Sequence, residues 1–299
     1  MEGKLIAIVG PTASGKTALA QHLASVFGGE IVNADSRQIY KGMDIGTAKL
    51  TQPTTNDQRL TTIHLIDVVE PNEEFTVADY KKLAIQTIND ITSREKIPFL
   101  VGGTGLYIKA IVDNLEFPWV PPQRELRKKL EKKSEGELYE MLKKRDPLTA
   151  RTIDRYNKRR LMRALEVVFA TGESFFGQIK KGPKLYETLQ IAIDIPKEKL
   201  FQHIETRTQE MIQDGLEREV KTLIKKYGWT NVLSNTIGYK EWKEFFQGMS
   251  SKDKVASEIV KNTKLLVKKQ LTWFRAQKSI HWVKDEKEAE KAVKKFFKT

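Results

Sequence analysis

Eight residues near the start of the chain have the types and spacing of a phosphate-binding loop. They fit the pattern G-x-x-x-x-G-K-[ST] without a mismatch and read Gly10, Pro11, Thr12, Ala13, Ser14, Gly15, Lys16, Thr17. An apolar run precedes them and a helical pattern follows. The backbone N–H groups of such a loop surround phosphate oxygens, Lys16 adds positive charge, and the Thr17 hydroxyl can bind Mg²⁺. The loop predicts a site for ATP or for another diphosphate compound.

A carboxylate is expected beside this loop. A second apolar run, residues 30–34, ends at Asp35. In an open parallel sheet, ligands bind at the carboxyl ends of the strands, where the loop also lies. Asp35 could therefore bind Mg²⁺, orient a nucleophile or accept a proton, or it could simply cap the following turn.

A glycine-rich segment follows another apolar run, residues 98–101. It reads Gly102-Gly-Thr-Gly-Leu-Tyr107. Its glycines permit either a close approach of the backbone to a ligand or a tight turn between a strand and a helix. The segment alone does not decide between these two interpretations.

Positive charge is concentrated in two helical regions. Residues 124–163 contain fifteen Lys or Arg against seven Asp or Glu, and residues 254–278 contain seven against one. Arginines such as Arg159 and Arg163, four positions apart on a helix, suit phosphate backbones, although each cluster could also be a solvated face. The two regions together favour a nucleic-acid partner. Trp273 and Phe274 are predicted to be core residues rather than platforms for nucleic-acid bases.

Composition narrows the class of protein further. The chain has 299 residues and a net charge of +13, which favours a polyanionic partner. It has no cysteine, which excludes disulfides, thiolate zinc sites and cysteine nucleophiles. Apolar runs stay well below the roughly 18 residues that a membrane span requires. We expect a cytoplasmic, monomeric enzyme.

The elements that must position these residues alternate between strands and helices. Strands are predicted at 4–9, 30–34, 63–69, 98–101, 190–195 and 280–283, and helices between them. This alternation is typical of an α/β fold with a parallel sheet flanked by helices, here a P-loop NTPase-like core. The proline-rich stretch 117–122 marks a change to charged, helical sequence. We predict a core of residues 1–117 and 191–299 and a helical, basic insertion of residues 118–190.

Over nearly its whole length the chain resembles the tRNA dimethylallyltransferases, also called tRNA isopentenyltransferases. The matching segments are GPTASGKT (10–17), DSRQIYKGMDIGTAK (35–49), HLID (64–67), GGTGLY (102–107), DPLTA (146–150), NKRRLMRALE (157–166), ETRTQEMIQDGLEREV (205–220), IGYKE (237–241) and KKQLTWFRAQ (268–277). Small departures are Arg37, where some relatives carry methionine, and the segment KNTKLLV at 261–267.

The resemblance implies that the phosphate loop holds dimethylallyl diphosphate, with Mg²⁺ as cofactor. The prenyl group would pass to N6 of the adenosine that follows the anticodon of a tRNA, and diphosphate would leave. The implied catalytic residues are Asp35 as general base, Lys16, Thr17 and Arg207. The implied tRNA contacts are Asp35, Ser36, Arg37, Gln38, Thr104, Arg127, Arg159, Arg160, Leu161, Met162 and Arg163, with the insertion binding the anticodon stem-loop.

Two other functions share the loop and the basic charge. An ATP-dependent kinase would turn over ATP, and a non-catalytic RNA-binding NTPase module would form no covalent product. Neither explains the joint presence of the DSRQIYK and GGTGLY segments.

Overall fold

The computed structural model describes residues 3–49, 61–118, 120–121 and 123–298. Trp119 and Pro122, in the predicted boundary stretch, lie outside these ranges. In chain order the strands are β1 (Gly3–Val9), β2 (Gly29–Asn33), β3 (Ile63–His64), β4 (Ile97–Gly102), β5 (Leu115–Glu116), β6 (Lys180–Lys181), β7 (Tyr186–Ile193) and β8 (Ile280–Val283). The helices are α1 (Lys16–Phe27), α2 (Val77–Ser93), α3 (Gly105–Val112), α4 (Arg124–Glu131), α5 (Glu135–Arg145), α6 (Pro147–Ala150), α7 (Lys158–Thr171), α8 (Lys197–Gln213), α9 (Leu216–Tyr227), α10 (Asn231–Asn235), α11 (Trp242–Phe246), α12 (Lys252–Arg275) and α13 (Glu286–Lys298).

The described residues fall into two compact units, Met1–Val112 with Leu185–Thr299 and Asp113–Lys184. The first boundary differs from the predicted one because Leu115 and Glu116 of β5 pair with β6, so residues 113–117 belong to the second unit. The second boundary differs because β7 starts at Tyr186 and pairs with β1 along its length. Residues 186–190, assigned above to the insertion, are therefore part of the first unit.

The first unit is built on a six-stranded sheet in the order β3-β2-β4-β1-β7-β8, and every pairing in it is parallel. The central strand β1 is buried from Leu5 to Val9 because both faces of the sheet are covered by helices. One face packs mainly on α2 and α3, the other on α1 and α13. The parallel α/β fold predicted from the sequence is confirmed.

The predicted strand 63–69 is wrong beyond His64. Leu65 and Asp67 have φ angles of 60° and 53°, so the backbone turns into the left-handed region and cannot continue a strand. The Asn33 side chain donates a hydrogen bond to the carbonyl oxygen of Leu65 over 3.1 Å. This segment is therefore a fixed loop at the carboxyl edge of the sheet.

The second unit contains helices α4 to α7 and the antiparallel pair β5–β6. Its core is formed by leucines of α4, α5 and α7, including Leu130, Leu138 and Leu165, all of which are buried. The buried Asp146 carboxylate caps α6 through the Thr149 amide and also accepts a hydrogen bond from the Phe175 amide. Asp146 of the DPLTA segment thus ties the start of α6 to the chain that follows α7.

Candidate active site

The phosphate loop connects β1 to α1 with an unusual backbone. Gly10, Ala13 and Gly15 have φ angles of 146°, 63° and 81°. Such conformations allow the N–H groups of a loop to surround an anion. Helix α1 begins directly after Gly15. The amino end of α1 therefore faces the loop, where its dipole favours a bound anion.

Two cations converge on this loop. The Lys16 ammonium donates to the carbonyl oxygen of Pro11 at 3.0 Å, and Arg207 of α8 donates to the Thr12 hydroxyl at 3.2 Å. Burial lowers the pKa of Lys16 to about 8. The negative charge of Asp35 acts to raise this pKa, and the positive charge of Arg207 acts to lower it. Burial also lowers the pKa of Arg207, while Asp35 acts in the opposite direction. Two desolvated cations beside one carboxylate favour an anionic ligand.

Two polar atoms at the loop have no hydrogen-bond partner. In the part of the chain that the structure describes, Ser14 Oγ and Arg207 Nε are two of three buried side-chain atoms in this condition. Buried polar groups are nearly always paired in folded proteins. Both atoms can donate hydrogen bonds, so an oxygen-rich ligand in the loop would satisfy them.

Asp35 follows β2 at the same edge of the sheet. Its backbone N–H donates to the Asn33 side chain at 3.2 Å, and its carboxylate accepts the N–H of Arg37 at 2.8 Å. The Ser36 amide donates to the Thr104 hydroxyl at 3.0 Å, and the Thr104 hydroxyl lies 3.3 Å from the hydroxyl of Ser36. The loops after β2 and β4 are thus tied together, and the predicted residues Asp35, Ser36 and Thr104 converge.

The GGTGLY segment uses its glycines for close packing. A Cβ atom at Gly102 would lie 2.2 Å from the carbonyl oxygen of Ala34, and one at Gly103 would lie 2.7 Å from Nε2 of Gln270. Gln270, on α12, accepts the Thr12 N–H at 3.0 Å and donates to the Gly103 carbonyl at 2.9 Å. One side chain therefore links the phosphate loop to the loop after β4.

These loops surround a cavity of about 370 Å³ within the first unit. Its polar lining includes Thr12, Asp35 and Arg207, and several other lining residues are apolar. The apolar lining comes from α8, α12 and the segment after α10, and consists of Ile204, Met211, Ile237, Ile259 and Leu266. A ligand with an anionic end and a short hydrocarbon end matches this division.

The remaining predicted nucleotide contacts in this unit differ in placement. Arg37 lines the cavity. Gln38 is 8% exposed and donates to the carbonyl oxygens of Thr47 and Ala48 at 3.2 and 3.1 Å. Its amide thus holds the chain's own 47–48 turn, and it does not belong to the residues that line the cavity.

In the second unit, the predicted tRNA contacts separate into exposed and internal residues. Leu161 is fully buried and Met162 is 9% exposed, both in the core of the unit, so their side chains offer no surface to a tRNA. Arg127 pairs with the buried Glu166 at 2.6 Å, and Arg163 lies 3.6 Å from the same carboxylate. Arg159 and Arg160 are exposed on the first turn of α7.

The site residues also suit a magnesium ion held together with a diphosphate. Mg²⁺ prefers oxygen ligands and usually takes one or two from protein and others from phosphate and water. Thr17, half-buried in the first turn of α1, offers a hydroxyl, and Asp35 offers a carboxylate in the adjacent loop. Among the described residues, no group of three or more His, Cys, Asp or Glu side chains forms a site of its own for a metal.

Three residues that matter for this geometry were not singled out from the sequence. Gln270 connects two loops, His203 Nδ1 lies 3.1 Å from the Ala13 carbonyl, and Glu219 binds the 44–46 backbone. Gln270 and Glu219 lie in segments that resemble the family, whereas His203 lies just before one. The loops that these three residues contact are 167 to 258 positions away along the chain. Spacing along the sequence carries no signal for such contacts.

Comparisons with known proteins agree on one family. The sequence model described as "IPP transferase" matches residues 38–277. Proteins named tRNA dimethylallyltransferase from Nostoc punctiforme and Acaryochloris marina are 45% and 43% identical, each over 93% of this chain and 91% of the relative.

Solved structures show the same relationship. The full-length tRNA isopentenylpyrophosphate transferase of Bacillus halodurans is 33% identical and superposes with a TM-score of 0.72, over 100% of this chain and 97% of that one. A eukaryotic dimethylallyltransferase acting on tRNA is 26% identical with a TM-score of 0.78, over 94% and 74% of the two chains. The chain belongs to the IPP transferase family.

Proposed function

We propose that this protein is a tRNA dimethylallyltransferase that prenylates N6 of the adenosine 3′-adjacent to the anticodon. The adenine amine attacks C1 of dimethylallyl diphosphate. A C–N bond forms, the C–O bond to the diphosphate breaks, and the amine loses one proton. The products are N6-dimethylallyladenosine in the tRNA, diphosphate and that proton.

The observation that carries the proposal is one cavity whose lining combines the Arg207 cation with aliphatic side chains, next to the phosphate loop that holds the Lys16 ammonium. Lys16, Arg207 and the N–H groups of the loop suit the diphosphate, whose negative charge grows as the C–O bond breaks. The apolar side, with Ile204 and Leu266, suits a five-carbon prenyl chain. A nucleoside triphosphate would place its polar ribose against these aliphatic side chains, which disfavours a kinase.

Asp35 is proposed as the base that accepts the amine proton. Asp35 lines the cavity together with Ser36, Thr104 and the phosphate-loop residue Thr12. The exocyclic amine of adenine is a weak nucleophile because its lone pair is delocalised into the ring. It becomes nucleophilic as the proton leaves, so a carboxylate in this place assists the attack.

The acceptor base must leave its stack to reach a cavity inside the first unit. Enzymes that modify a base inside a folded nucleic acid commonly turn it out into a pocket. Ser36, Arg37 and Thr104 offer hydrogen-bond donors and acceptors to the base that enters. Arg159 and Arg160 are proposed to bind the anticodon stem-loop by its phosphates.

Thr17, together with the diphosphate, is proposed to hold Mg²⁺. The ion would supply positive charge that stabilises the leaving diphosphate. Lys16 and Arg207 contribute charge at the same place, and the loop N–H groups fix the orientation of the phosphates.

The test uses an unmodified tRNA transcript, labelled dimethylallyl diphosphate and Mg²⁺. We expect labelled dimethylallyladenosine after nuclease digestion, with one diphosphate released per prenyl group. A transcript with guanosine at the position following the anticodon is the control and should give no product. A parallel reaction contains ATP in place of dimethylallyl diphosphate. Phosphorylated RNA or tRNA-dependent ATP hydrolysis in that reaction, without prenylated adenosine in the first, would favour a kinase instead.

A further inference from the structure

Trp273 departs from the sequence expectation that it belongs to the core. Its neighbour Phe274 is 2% exposed, whereas Trp273 is 38% exposed. Large exposed aromatic side chains are often part of a binding surface. The question is which partner this surface fits.

Trp273 continues a helix face that leads out of the cavity. Thr263, Leu266 and Gln270 of α12 line the cavity. Trp273 follows Gln270 by three positions, and residues three or four apart share one face of a helix. The indole therefore lies next to the catalytic cavity, one turn further along the same face.

The ring is held in a defined position. A Cβ atom at Gly105 would lie 2.2 Å from Trp273 Nε1, so the glycine leaves space for the indole against the start of α3. Gly103, two positions before Gly105, makes the same kind of close contact with Gln270, three positions before Trp273. The two contacts together fix the register of α12 against the GGTGLY segment. A ring that is already positioned loses little conformational entropy when a ligand packs on it.

The surroundings of the ring are apolar and positive. Leu106 is 42% exposed in the adjoining turn of α3. The Lys109 ammonium lies 5.9 Å from the centre of the indole ring. Lys269, four positions before Trp273 on α12, is exposed. An aromatic ring with nearby cations is the combination that binds single-stranded nucleic acid, by base stacking and by attraction of phosphates.

We propose that Trp273 is a stacking platform for a base of the RNA loop, next in space to the adenosine that enters the cavity. The inference rests on the proposed function, since it takes the same RNA as partner. Stacking on the indole would hold the neighbouring nucleotide outside the cavity while the target base is turned in. The ring acts by positioning the RNA and takes no part in bond making.

The first experiment measures the affinity of the protein for an unmodified tRNA transcript. Base–aromatic stacking predicts that Trp273→Leu weakens binding by about 5- to 150-fold, whereas Trp273→Phe, which keeps an aromatic face, weakens it much less. Leu265→Ala is the matched control, because Leu265 is 47% exposed on α12 and does not line the cavity. Its affinity should equal that of the unchanged protein.

The second experiment pairs the Trp273→Leu variant with transcripts that carry an abasic site at one loop position in turn. If Trp273 stacks on a base, one of these transcripts loses affinity for the unchanged protein and shows no further loss with the variant. A Trp273→Leu effect of the same size on every transcript would overturn the proposal and leave the ring a packing role at Gly105.

The outcomes separate this inference from the proposed function. Product formation by the unchanged protein, without coupling between Trp273 and any loop base, refutes the stacking platform alone. Absence of prenylated adenosine from the unchanged protein refutes the proposed function, and absence of RNA binding refutes both.

Discussion

Asp35 is the only carboxylate among the described residues that line the cavity. Lys16 and Arg207 both interact with its charge, although neither forms a salt bridge with it in the described structure. The carboxylate is thus held by local backbone contacts and remains directed at the cavity rather than locked in an ion pair. This arrangement suits a proton acceptor.

We expect Asp35→Asn to lower kcat by about 10²- to 10⁴-fold, the usual contribution of a general base. The amide keeps the shape of the side chain and can still accept the Arg37 N–H, but it is not basic. KM for tRNA should change far less, because proton transfer belongs to the transition state. Steady-state kinetics with tRNA and dimethylallyl diphosphate measures both. Near-normal kcat in this variant would show that another group takes the proton.

The lowered pKa of Lys16 predicts that diphosphate binding depends on pH. Burial lowers the pKa of its ammonium to about 8 in the free protein, and a bound diphosphate favours the charged form and raises that pKa again. Affinity should therefore be constant below about pH 8 and fall as the pH rises above it, by up to about tenfold per unit.

Titration calorimetry with dimethylallyl diphosphate across this range provides the measurement. Lys16→Arg is the control, because a guanidinium stays protonated and leaves only the ionisation of the ligand itself. Identical pH profiles for the two proteins would contradict the assignment to Lys16.

At the scale of elements, one carboxylate on α9 holds a loop that lines the cavity. Glu219 accepts the backbone N–H groups of Asp44, Ile45 and Gly46 at 3.1, 2.7 and 3.1 Å. It also accepts the Tyr239 hydroxyl at 2.6 Å. Gly46 and Thr47 line the cavity, so α9 fixes one wall of the site without touching it.

We expect Glu219→Gln to lower the free energy of unfolding by about 1–3 kcal/mol, because an amide nitrogen cannot accept these N–H groups. KM for dimethylallyl diphosphate should rise as the loop loosens. Glu217→Gln on the same helix is the control, since Glu217 forms an exposed pair with Lys252 at 3.2 Å that contributes at most about 1 kcal/mol. Denaturant unfolding and kinetics measure the two effects. Equal destabilisation by both variants would mean that the loop does not depend on Glu219.

The exposed arginines on the first turn of α7 should contribute to the salt dependence of tRNA binding. Each phosphate contact contributes about 0.7–0.9 to the slope of log K against log salt, so removing Arg159 and Arg160 together should reduce the slope by about 1–2. Replacing exposed Lys287 and Lys291 of α13 removes the same charge elsewhere and serves as control. Binding assays at several salt concentrations provide the slopes. A slope unchanged by Arg159→Ala with Arg160→Ala would assign these arginines to a solvated face.

Arg163 is left out of that substitution for a structural reason. It donates to the Val120 carbonyl at 3.0 Å and lies near Glu166, whose side chain is 1% exposed and also pairs with Arg127. Removing a cation from a buried carboxylate destabilises the fold. A loss of tRNA binding in an Arg163 variant would therefore combine the effect of lower stability with the effect of a lost tRNA contact.

At the scale of the whole molecule, binding experiments can test the effect of net charge and the preference of the cavity for one ligand over another. The net charge is +13, and none of the helices in the described ranges has the length and apolar composition of a membrane span. The net positive charge suits a polyanion, whereas the lining of the cavity suits a small anion. We therefore expect different parts of the chain to bind the two ligands.

We expect dimethylallyl diphosphate to raise Tm more than ATP does at equal concentration. Ligand binding stabilises a protein by about 2.7 kcal/mol when the ligand is at a hundredfold excess over Kd. The apolar side of the cavity contributes only for the prenyl compound. Thermal shift measurements with Mg²⁺ compare the two, and Lys16→Met should abolish most of the shift. Stronger protection by ATP would contradict a prenyl-binding cavity.

Patterns within short segments were sufficient to predict the phosphate loop, the place of Asp35 beside it and the class of fold. A phosphate loop is defined by glycines at fixed spacing between a strand and a helix, and the carboxyl ends of parallel strands must meet at one edge. These features depend on neighbours in the sequence. For that reason the phosphate loop and Asp35 could be placed at one site before any coordinates existed.

Only the tertiary structure decided which distant side chains complete the site. It brought Gln270 to Thr12, Glu219 to the 44–46 backbone, and Ile204 and Ile259 to the lining of the cavity. It also buried Leu161 and Met162 and left Trp273 exposed, against the sequence expectation. The physical reason is that a helix can present several faces of similar composition, and packing against elements far along the chain selects which face is covered.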